Sequence, residues 1–363
     1  MKKILSYCEK QYNLIHSIHS MKAYNGWFKK RTANFQIPEM SKDSFKEVSS
    51  FWNKYLPIPV PKSFYSFVKY VNPTQQWDGE MYPLYQYVPG CVFLIKMLRK
   101  LNPIEYATTL SNKGLYGTYF HEFNRPYEFL RVCNGWMWDN DSRKCTIESA
   151  ISEILNYGGP IVIKQSVDSS GGYGVKMLRT YTKSELLGGI ASMGKNFVIQ
   201  KVVKQSLQTS VLNPSSLNTF RIMTLSLNNR VSVIGRSIRC GGKGSNVDNV
   251  SSGGIMFGVD KSGMLVDGFN YKEIHIKESP EGLNIENYKI RSYEMIDDFA
   301  IRLHETIPFC AFAAWDIALD DTDSPVLLEV NLVKPGSQGI QFVAGPMFKD
   351  RFDEVVQYVF GDL

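Results

Sequence analysis

The stretch LLEVN at residues 327–331 is an apolar run that carries a carboxylate and an amide. Glu329 and Asn331 are two residues apart, so on a β-strand their side chains point to the same face. A second apolar run, residues 311–319, carries Asp316. Because an unpaired charge is costly to bury, these acids need a ligand unless they lie at solvated strand ends. If the two strands are neighbours, the three side chains form an oxygen ligand set of the kind that Mg²⁺ prefers.

A lysine and a Ser/Gly-rich loop lie well upstream of this set. Lys164 follows the apolar run 161–163 and precedes the loop QSVDSSGGYG at residues 165–174. Glycines let a backbone approach a phosphate closely, and the lysine adds a positive charge. The sequence lacks the G-x-x-x-x-G-K-[ST] pattern of a P-loop, and no G-x-G-x-x-G opens a helix. The pattern favours a phosphate-binding hairpin of another kind, with an ordinary turn as the alternative.

Arginines occupy the strand-like runs that follow the loop. Arg221 begins one run after an Asn-Thr pair, and Arg236 and Arg239 lie in the next. A guanidinium suits bidentate binding of phosphate or carboxylate. Arg236 and Arg239 are three residues apart, so on one strand they face opposite ways and only one reaches a given site. We assign Arg221 and Arg236 to the site; the alternative for each is an exposed ion pair.

Composition excludes several classes of protein. Of the 363 residues, 44% are hydrophobic and 21% are charged, which is ordinary for a globular chain. No apolar run approaches the roughly 18 residues of a membrane-spanning helix, and residues 1–12 lack the apolar stretch of a signal peptide. We therefore expect a cytoplasmic protein. The six cysteines form no C-x-x-C pair, which argues against a zinc site and a disulfide framework.

Positive charge is concentrated at the start of the chain. Residues 1–105 hold 15 Lys+Arg and 7 Asp+Glu, a net charge of +8, whereas the whole chain carries +6, so residues 106–363 sum to −2. Such a segment suits an acidic partner such as a nucleic acid, an anionic glycan or an anionic membrane surface, or is simply a solvated basic face. Since no nucleic-acid-binding motif accompanies it, we expect no nucleic-acid partner.

The chain divides into three segments. Residues 1–105 are predicted to be mostly helical and hold no Gly-rich loop. Residues 106–203 hold Lys113, the Ser/Gly loop and strand-like runs. Residues 204–363 hold further strand-like runs, one of them at 219–227, a helix at 293–305 and the acidic set.

The order of these features resembles the ATP-grasp superfamily. A lysine, a second lysine before a Ser/Gly hairpin, an Asn-Thr-x-Arg segment, an Asp and a Glu-x-Asn follow one another over residues 106–345. More narrowly, the chain resembles the sugar-transfer-associated ATP-grasp branch, found beside bacterial surface-polysaccharide genes. The resemblance implies an α+β fold in which a small lobe (106–203) and a large lobe (204–363) clasp a nucleotide, preceded by a mostly helical basic region (1–105).

The resemblance also implies roles for individual residues. Asp316, Glu329 and Asn331 would hold magnesium, and Arg221, Lys164 and Arg236 would take part in catalysis. The implied nucleotide contacts are Lys113, Lys164, Ser169, Ser170, Gly171, Gly172, Gln200, Lys201 and Val203. Residues 200–203 would form a hinge strand whose backbone contacts the adenine. Residues 200–205 include no acid, although many relatives contact the ribose with an acidic residue there.

The function that the resemblance implies is that of an ATP- and magnesium-dependent ligase forming a carbon–nitrogen bond. It would activate a carboxylate as an acyl phosphate and attach an amino acid or similar amine to an acidic sugar of a bacterial surface polysaccharide. Its partners would be ATP, the amine and the acid, with a glycan, a lipid-linked sugar or a peripheral membrane surface compatible with the basic segment. Two alternatives stay open: a phosphotransferase acting on a sugar hydroxyl, and a nucleotide-binding protein without turnover.

Overall fold

The computed structural model of the chain describes residues 19–20, 22–23, 26, 30, 41–56, 71, 74–167, 174–245, 248–250 and 253–361. They form two separate antiparallel sheets with helices packed against them, an α+β fold as the sequence predicts. Within these residues, no helix combines the length and the apolar character that crossing a bilayer requires.

The helices are α1 (Lys42–Trp52), α2 (Gly90–Val92), α3 (Leu98–Leu101), α4 (Ile104–Leu110), α5 (Tyr116–Tyr119), α6 (Ile147–Tyr157), α7 (Lys183–Ala191), α8 (Leu207–Ser210), α9 (Tyr293–Glu305), α10 (Gln338–Ala344) and α11 (Phe352–Phe360). A π-helical segment, Phe93–Met97, joins α2 to α3, and short 3-10 turns occupy Leu84–Gln86, Lys113–Leu115 and Lys349–Arg351.

The strands are β1 (Glu128–Cys133), β2 (Trp136–Trp138), β3 (Ile161–Gln165), β4 (Val175–Leu178), β5 (Phe197–Lys201), β6 (Thr219–Leu227), β7 (Arg230–Cys240), β8 (Ile255–Val259), β9 (Leu265–Phe269), β10 (Ile274–Ile276), β11 (Phe312–Leu319) and β12 (Pro325–Asn331).

The small sheet has the strand order β2-β1-β5-β3-β4, and all its neighbouring strands are antiparallel. Helices α6 and α7 pack on one face through a shared apolar core. The α6 helix starts at a capping box formed by Thr146 and Ser149 and ends at Gly158, whose φ of 63° suits glycine. These local signals fix where the chain leaves the helix and enters β3.

Strand alternation sends the side chains of β3 to two different faces. Ile161 and Ile163 are fully buried in the core beneath α6 and α7. Lys164 therefore points to the opposite face, which meets the large sheet. The strand thus anchors one face in the small lobe and presents a lysine on the other.

The large sheet has the order β10-β9-β8-β7-β6-β11-β12, again with antiparallel neighbours. Helix α9 covers one face because Ile296, Ala300 and Leu303 recur at the spacing of a helical stripe. These residues join Trp315 of β11 in one apolar core.

The other face of the large sheet packs against α1, the helical segment 90–101, α10 and α11. On β6, Met223 and Leu225 lie in this core, and Arg221 shares their face nearer the start of the strand. Along this face of β6, apolar core residues are followed by a charged side chain near the start of the strand. The candidate site lies at that end of the strand.

Two amides join the N-terminal helices to the large lobe. The Asn102 side chain donates to the carbonyls of Phe312 and Leu332 and accepts from the Phe312 N–H. The Gln341 side chain accepts from the Val88 N–H and donates to its carbonyl. The segment from Val88 to Asn102 is therefore fixed against the large lobe at both of its ends.

Candidate functional site

The predicted acidic set lies on two neighbouring strands at the centre of the site. Asp316 of β11 lies directly opposite Glu329 of β12, and Ala314 lies opposite Asn331. The Asn331 amide is 3.4 Å from Asp316 Oδ2. Two carboxylates facing each other across strands repel, so the arrangement requires cations nearby.

Two arginines supply positive charge to Asp316. Arg221 donates from Nε to Oδ1 at 2.5 Å and from Nη2 to Oδ2 at 3.2 Å. Arg239 Nη2 lies 3.1 Å from Oδ2. Burial alone would raise the pKa of Asp316, but the two guanidinium groups outweigh it and hold the pKa below its usual value. Asp316 is therefore an anion held by arginines.

One of the two arginines, Arg239, also contacts a second acid, Asp248. Arg239 Nη2 lies 3.3 Å from Asp248 Oδ2, and the Thr219 hydroxyl also contacts that carboxylate. Burial raises the pKa of Asp248 although Arg239 opposes the shift. Thr219, Arg221 and Arg239 belong to adjacent strands β6 and β7, so the sheet itself positions the network.

A lysine from the small-lobe side contacts the second carboxylate of the set. Lys113 Nζ lies 2.7 Å from Glu329 Oε1, and the lysine side chain is only 7% exposed. The 3-10 turn that carries Lys113 is tied to β3 because its N–H donates to the Ser166 carbonyl. The Asn112 side chain accepts from Gly114 N–H and so caps the turn. The turn thereby directs Lys113 toward β12.

Lys164, on β3 of the small sheet, lies near Lys113, Glu329 and Asp316. Burial and the neighbouring charge of Lys113 lower the pKa of Lys164 to about 8, while the charges of Glu329, Glu128 and Asp316 act in the opposite direction. No ion pair joins it to a carboxylate of a residue that the structure describes. Lys164 is therefore a cation that a bound anion would stabilise.

A buried charged cluster in the small sheet was not predicted from the sequence. Glu128 of β1 is 1% exposed and accepts hydrogen bonds from Arg125 at 2.6 Å and from the Gln200 amide at 3.0 Å. Arg131 Nε lies 3.3 Å from the same carboxylate. Burial raises the pKa of Glu128 against the opposing effect of both arginines. Glu128 and Arg131 lie three residues apart in an apolar strand, the same signal that identified Asp316.

The predicted hinge residues take different positions. The Gln200 side chain is buried against Glu128. Lys201 points its ammonium over the rings of Tyr127 and Tyr157 at 4.3 and 4.7 Å, and its N–H donates to the Tyr127 carbonyl. Val203 N–H donates to no residue in the described ranges. Of the hinge segment, Val203 therefore offers a backbone donor to a ligand, whereas the Lys201 ammonium is engaged elsewhere.

The assignment of Arg236 to the site is corrected by the structure. Arg236 lies on the α9 face of β7 and forms a bidentate pair with Asp297 of α9, with contacts of 2.5–2.8 Å. Arg239, on the opposite face, occupies the site. Sequence spacing showed that only one of the two could reach the site but did not show which face meets the small lobe.

Residues 168–173 of the Ser/Gly loop lie outside the described residues. Ser169, Ser170, Gly171 and Gly172 are among them, so their assignment as nucleotide contacts stays a prediction.

The gathered side chains fit a magnesium nucleotide. Lys113, Lys164, Arg221 and Arg239 carry four positive charges against the three negative charges of Asp248, Asp316 and Glu329. Two carboxylates and an amide suit Mg²⁺, which takes its remaining ligands from water and phosphate oxygens. In the described part of the chain, no three His, Cys, Asp or Glu side chains cluster for a metal. A site with only two carboxylates is consistent with that finding because phosphates complete it.

Comparison with known proteins gives one family match and a set of similar structures. Residues 94–357, more than two thirds of the chain, match the family model for sugar-transfer associated ATP-grasp. No curated protein sequence matches the chain.

The similar solved structures include a D-alanyl-alanine synthetase A from Vibrio cholerae, with 12% identity, a TM-score of 0.43 and coverage of 71% of this chain and 67% of that one. A D-alanine–D-alanine ligase from Coxiella burnetii has 8% identity, a TM-score of 0.44 and coverage of 71% and 60%. VanG D-Ala:D-Ser ligase from Enterococcus faecalis has 14% identity, a TM-score of 0.39 and coverage of 69% and 62%. The matched region thus spans 60–67% of these three proteins.

Proposed function

The chain belongs to the sugar-transfer associated ATP-grasp family, and on that premise we propose that it is an ATP- and magnesium-dependent ligase that joins a carboxylate to an amine. The observation that carries the proposal is that side chains from the two sheets lie close together. Lys113 and Lys164 from the small-lobe side face Asp316, Glu329 and Asn331 of the large sheet, with Lys113 in contact with Glu329. The cations proposed to bind phosphate therefore adjoin the side chains proposed to bind magnesium.

In the proposed complex, Asp316, Glu329 and Asn331 hold magnesium. When bound, the metal neutralises phosphate charge and helps to orient the phosphates. Lys113 would exchange Glu329 for phosphate oxygens. Lys164, which forms no ion pair with a described carboxylate, would bind phosphate oxygens as well. The exchange at Lys113 costs little electrostatically because each ion gains an opposite charge as it leaves one.

The proposed reaction has two steps. An oxygen of the acid attacks the terminal phosphorus of ATP, the bond to the ADP oxygen breaks, and an acyl phosphate and ADP form. The amine nitrogen then attacks the acyl carbon, the bond to the phosphate oxygen breaks, and the amide forms with release of phosphate and a proton. Arg221 stabilises the charge on the transferred phosphoryl group, while Arg239 holds Asp316 and so positions it. This chemistry needs positioning and charge neutralisation more than a protein nucleophile.

The proposed substrates are an amino acid or similar amine and an acidic sugar of a surface polysaccharide. Support for the sugar comes from the description of the family alone. Support for an anionic acceptor comes from the net charge of +8 in residues 1–105, calculated from 15 basic and 7 acidic side chains.

The experiment is a product analysis with purified protein, Mg·ATP and panels of acids and amines. The proposal predicts one free phosphate for each ADP, a product that contains no phosphorus from ATP, and a hydroxamate when hydroxylamine replaces the amine. ADP without free phosphate, with the phosphate found on the acceptor, would instead identify a phosphotransferase. ATP binding without ADP formation for any pair would identify a binding protein and contradict the ligase proposal.

A further inference from the structure

A large cavity lies between the N-terminal helices and the segment that follows β12. Its volume of about 1070 Å³ slightly exceeds the roughly 300–1,000 Å³ of small-molecule pockets. Leu94, Ile95 and Leu98 form one wall, and Leu332, Val333 and Pro335 form the other. Most of its lining is apolar, so a ligand that filled it would bury an apolar body.

Positive charges border this apolar cavity. Arg99, Lys100 and Lys334 line it and are exposed, and Glu105 is an acid of the same lining. None of the three cations forms an ion pair with an acid in the described ranges. The rim therefore has a cationic excess that an anionic group of a ligand would complement.

The cavity adjoins the proposed reaction site through the chain. Leu332 follows Asn331 directly, so its Cα lies about 3.8 Å away from that of the proposed magnesium ligand. Asn102, also in the lining, is fixed to the Leu332 carbonyl and to Phe312 by three hydrogen bonds. These hydrogen bonds fix part of the cavity lining relative to β11 and to the residue that follows β12.

We propose that this cavity binds the acceptor of the reaction and that the acceptor is an amphiphilic anion, with an apolar body between the two walls and an anionic group at Arg99, Lys100 and Lys334. The inference rests on the proposed function and narrows its substrate class. A bare sugar would leave the accessible part of the apolar lining, which includes Leu94, Ile95 and Ile104, in contact with water or with hydroxyl groups. An anion joined to an apolar chain satisfies both the walls and the rim.

The anionic group is a carboxylate or a phosphate, and binding measurements distinguish the two. We would titrate the full chain with octanoate and with octyl phosphate by calorimetry, using inorganic phosphate and 1-octanol as matched probes for each half of the ligand. The expected result is at least ten-fold tighter binding of one octyl anion than of either half. Binding of both octyl anions no tighter than of inorganic phosphate would overturn the proposal.

Variants locate the binding. The double variant Lys100→Glu/Lys334→Glu reverses two exposed charges and should weaken binding of the octyl anion at least ten-fold. Ile104→Asp places a charge at a lining residue that is 54% exposed and should weaken this binding several-fold. Lys195→Glu, an exposed lysine of the small lobe, is the control and should leave it unchanged. Equal binding to the charge-reversed protein would overturn the cavity assignment. So would binding to anionic phospholipid vesicles without binding of either octyl anion, which would indicate membrane docking.

The two proposals can fail separately. Mg·ATP affinity should stay within two-fold in the cavity variants because Lys100, Ile104 and Lys334 are not among the residues proposed to bind the nucleotide or magnesium. Failure of the parent protein to bind either octyl anion, with Mg·ATP binding intact, would reject the cavity proposal alone. Absence of Mg·ATP binding in the parent protein would reject the proposed function whatever the octyl anions do.

Discussion

Lys113 Nζ lies 2.7 Å from Glu329 Oε1, so a turn tied to the small sheet contacts the last strand of the large one. In the proposed complex both partners leave this pair, Lys113 for phosphate and Glu329 for magnesium. The contact keeps both charges paired. Substituting either partner should therefore impair a different half of the nucleotide site.

Lys113→Met removes the ammonium and keeps the length of the side chain. A hydrogen bond to a charged group contributes about 1.5–3 kcal/mol, so ATP affinity should fall roughly ten- to a hundred-fold. Titration calorimetry with Mg·ATP measures the change. Lys195→Met, at an exposed position of the small lobe, is the control. An affinity within three-fold of the parent would remove Lys113 from the phosphate site.

Glu329→Gln keeps the shape of the side chain and removes its charge. Because a neutral amide is a poorer magnesium ligand than a carboxylate, turnover should fall at least a hundred-fold while the protein stays folded. ADP release and thermal melting are the two measurements. Glu305→Gln, an exposed acid at the end of α9, should retain activity. Activity within a few-fold of the parent for Glu329→Gln would exclude Glu329 from the metal site.

ATP affinity should depend on pH through Lys164, whose pKa lies at about 8. Phosphate binds the protonated ammonium, so raising the pH through this pKa removes the favourable form. Affinity should therefore weaken about ten-fold from pH 7 to pH 9. Lys164→Arg stays charged over this range and should show a flat profile. An equally steep profile in that variant would assign the titration to another group.

Arg236 and Arg239 offer a matched comparison on one strand. Arg236→Gln leaves Asp297 unpaired on the α9 side, so it should cost about 1–3 kcal/mol of unfolding free energy and leave ATP affinity unchanged. Arg239→Lys loses the planar guanidinium beside Asp316 and should lower turnover at least ten-fold. Urea unfolding and ADP release separate the two effects. If Arg236→Gln were the variant with impaired turnover and a stable fold, the placement of Arg239 at the site would be wrong.

Asn102 tests the connection between the N-terminal helices and the site. Asn102→Ala leaves the Phe312 and Leu332 carbonyls and the Phe312 N–H without their partner. With a cost of about 1–3 kcal/mol for a buried unsatisfied group, the variant should lose at least about 2 kcal/mol of unfolding free energy. Urea unfolding of the full chain measures it. A loss below about 0.5 kcal/mol would show that the helices are not fixed there.

The sequence predicted the parts of the fold that depend on local pattern. The helix at 293–305 and the strand at 219–227 have the predicted bounds because each buries a continuous apolar stripe or run. Asp316 and Glu329 lie on neighbouring strands, which is the condition on which the predicted oxygen ligand set depended. A carboxylate inside a buried apolar run needs compensating cations, and two arginines and a lysine supply them here. The role of the two acids as metal ligands stays a prediction.

Features that depend on how the two sheets pack together could not be predicted from local sequence pattern. The choice between Arg236 and Arg239 depends on which face of the large sheet meets the small lobe, and neighbouring residues do not encode that. The Glu128–Arg131 pair was missed although a charged pair inside an apolar strand gave a signal. The cavity beside Leu332 requires residues more than 200 positions apart in the chain, so no local pattern could indicate it.

The most direct test of the central claim is calorimetric titration of the purified chain with ATP in the presence and absence of magnesium, compared with Lys164→Ala. We predict magnesium-dependent binding that Lys164→Ala weakens at least ten-fold. No binding at millimolar ATP, or equal binding by both proteins, would contradict a nucleotide site between the two sheets.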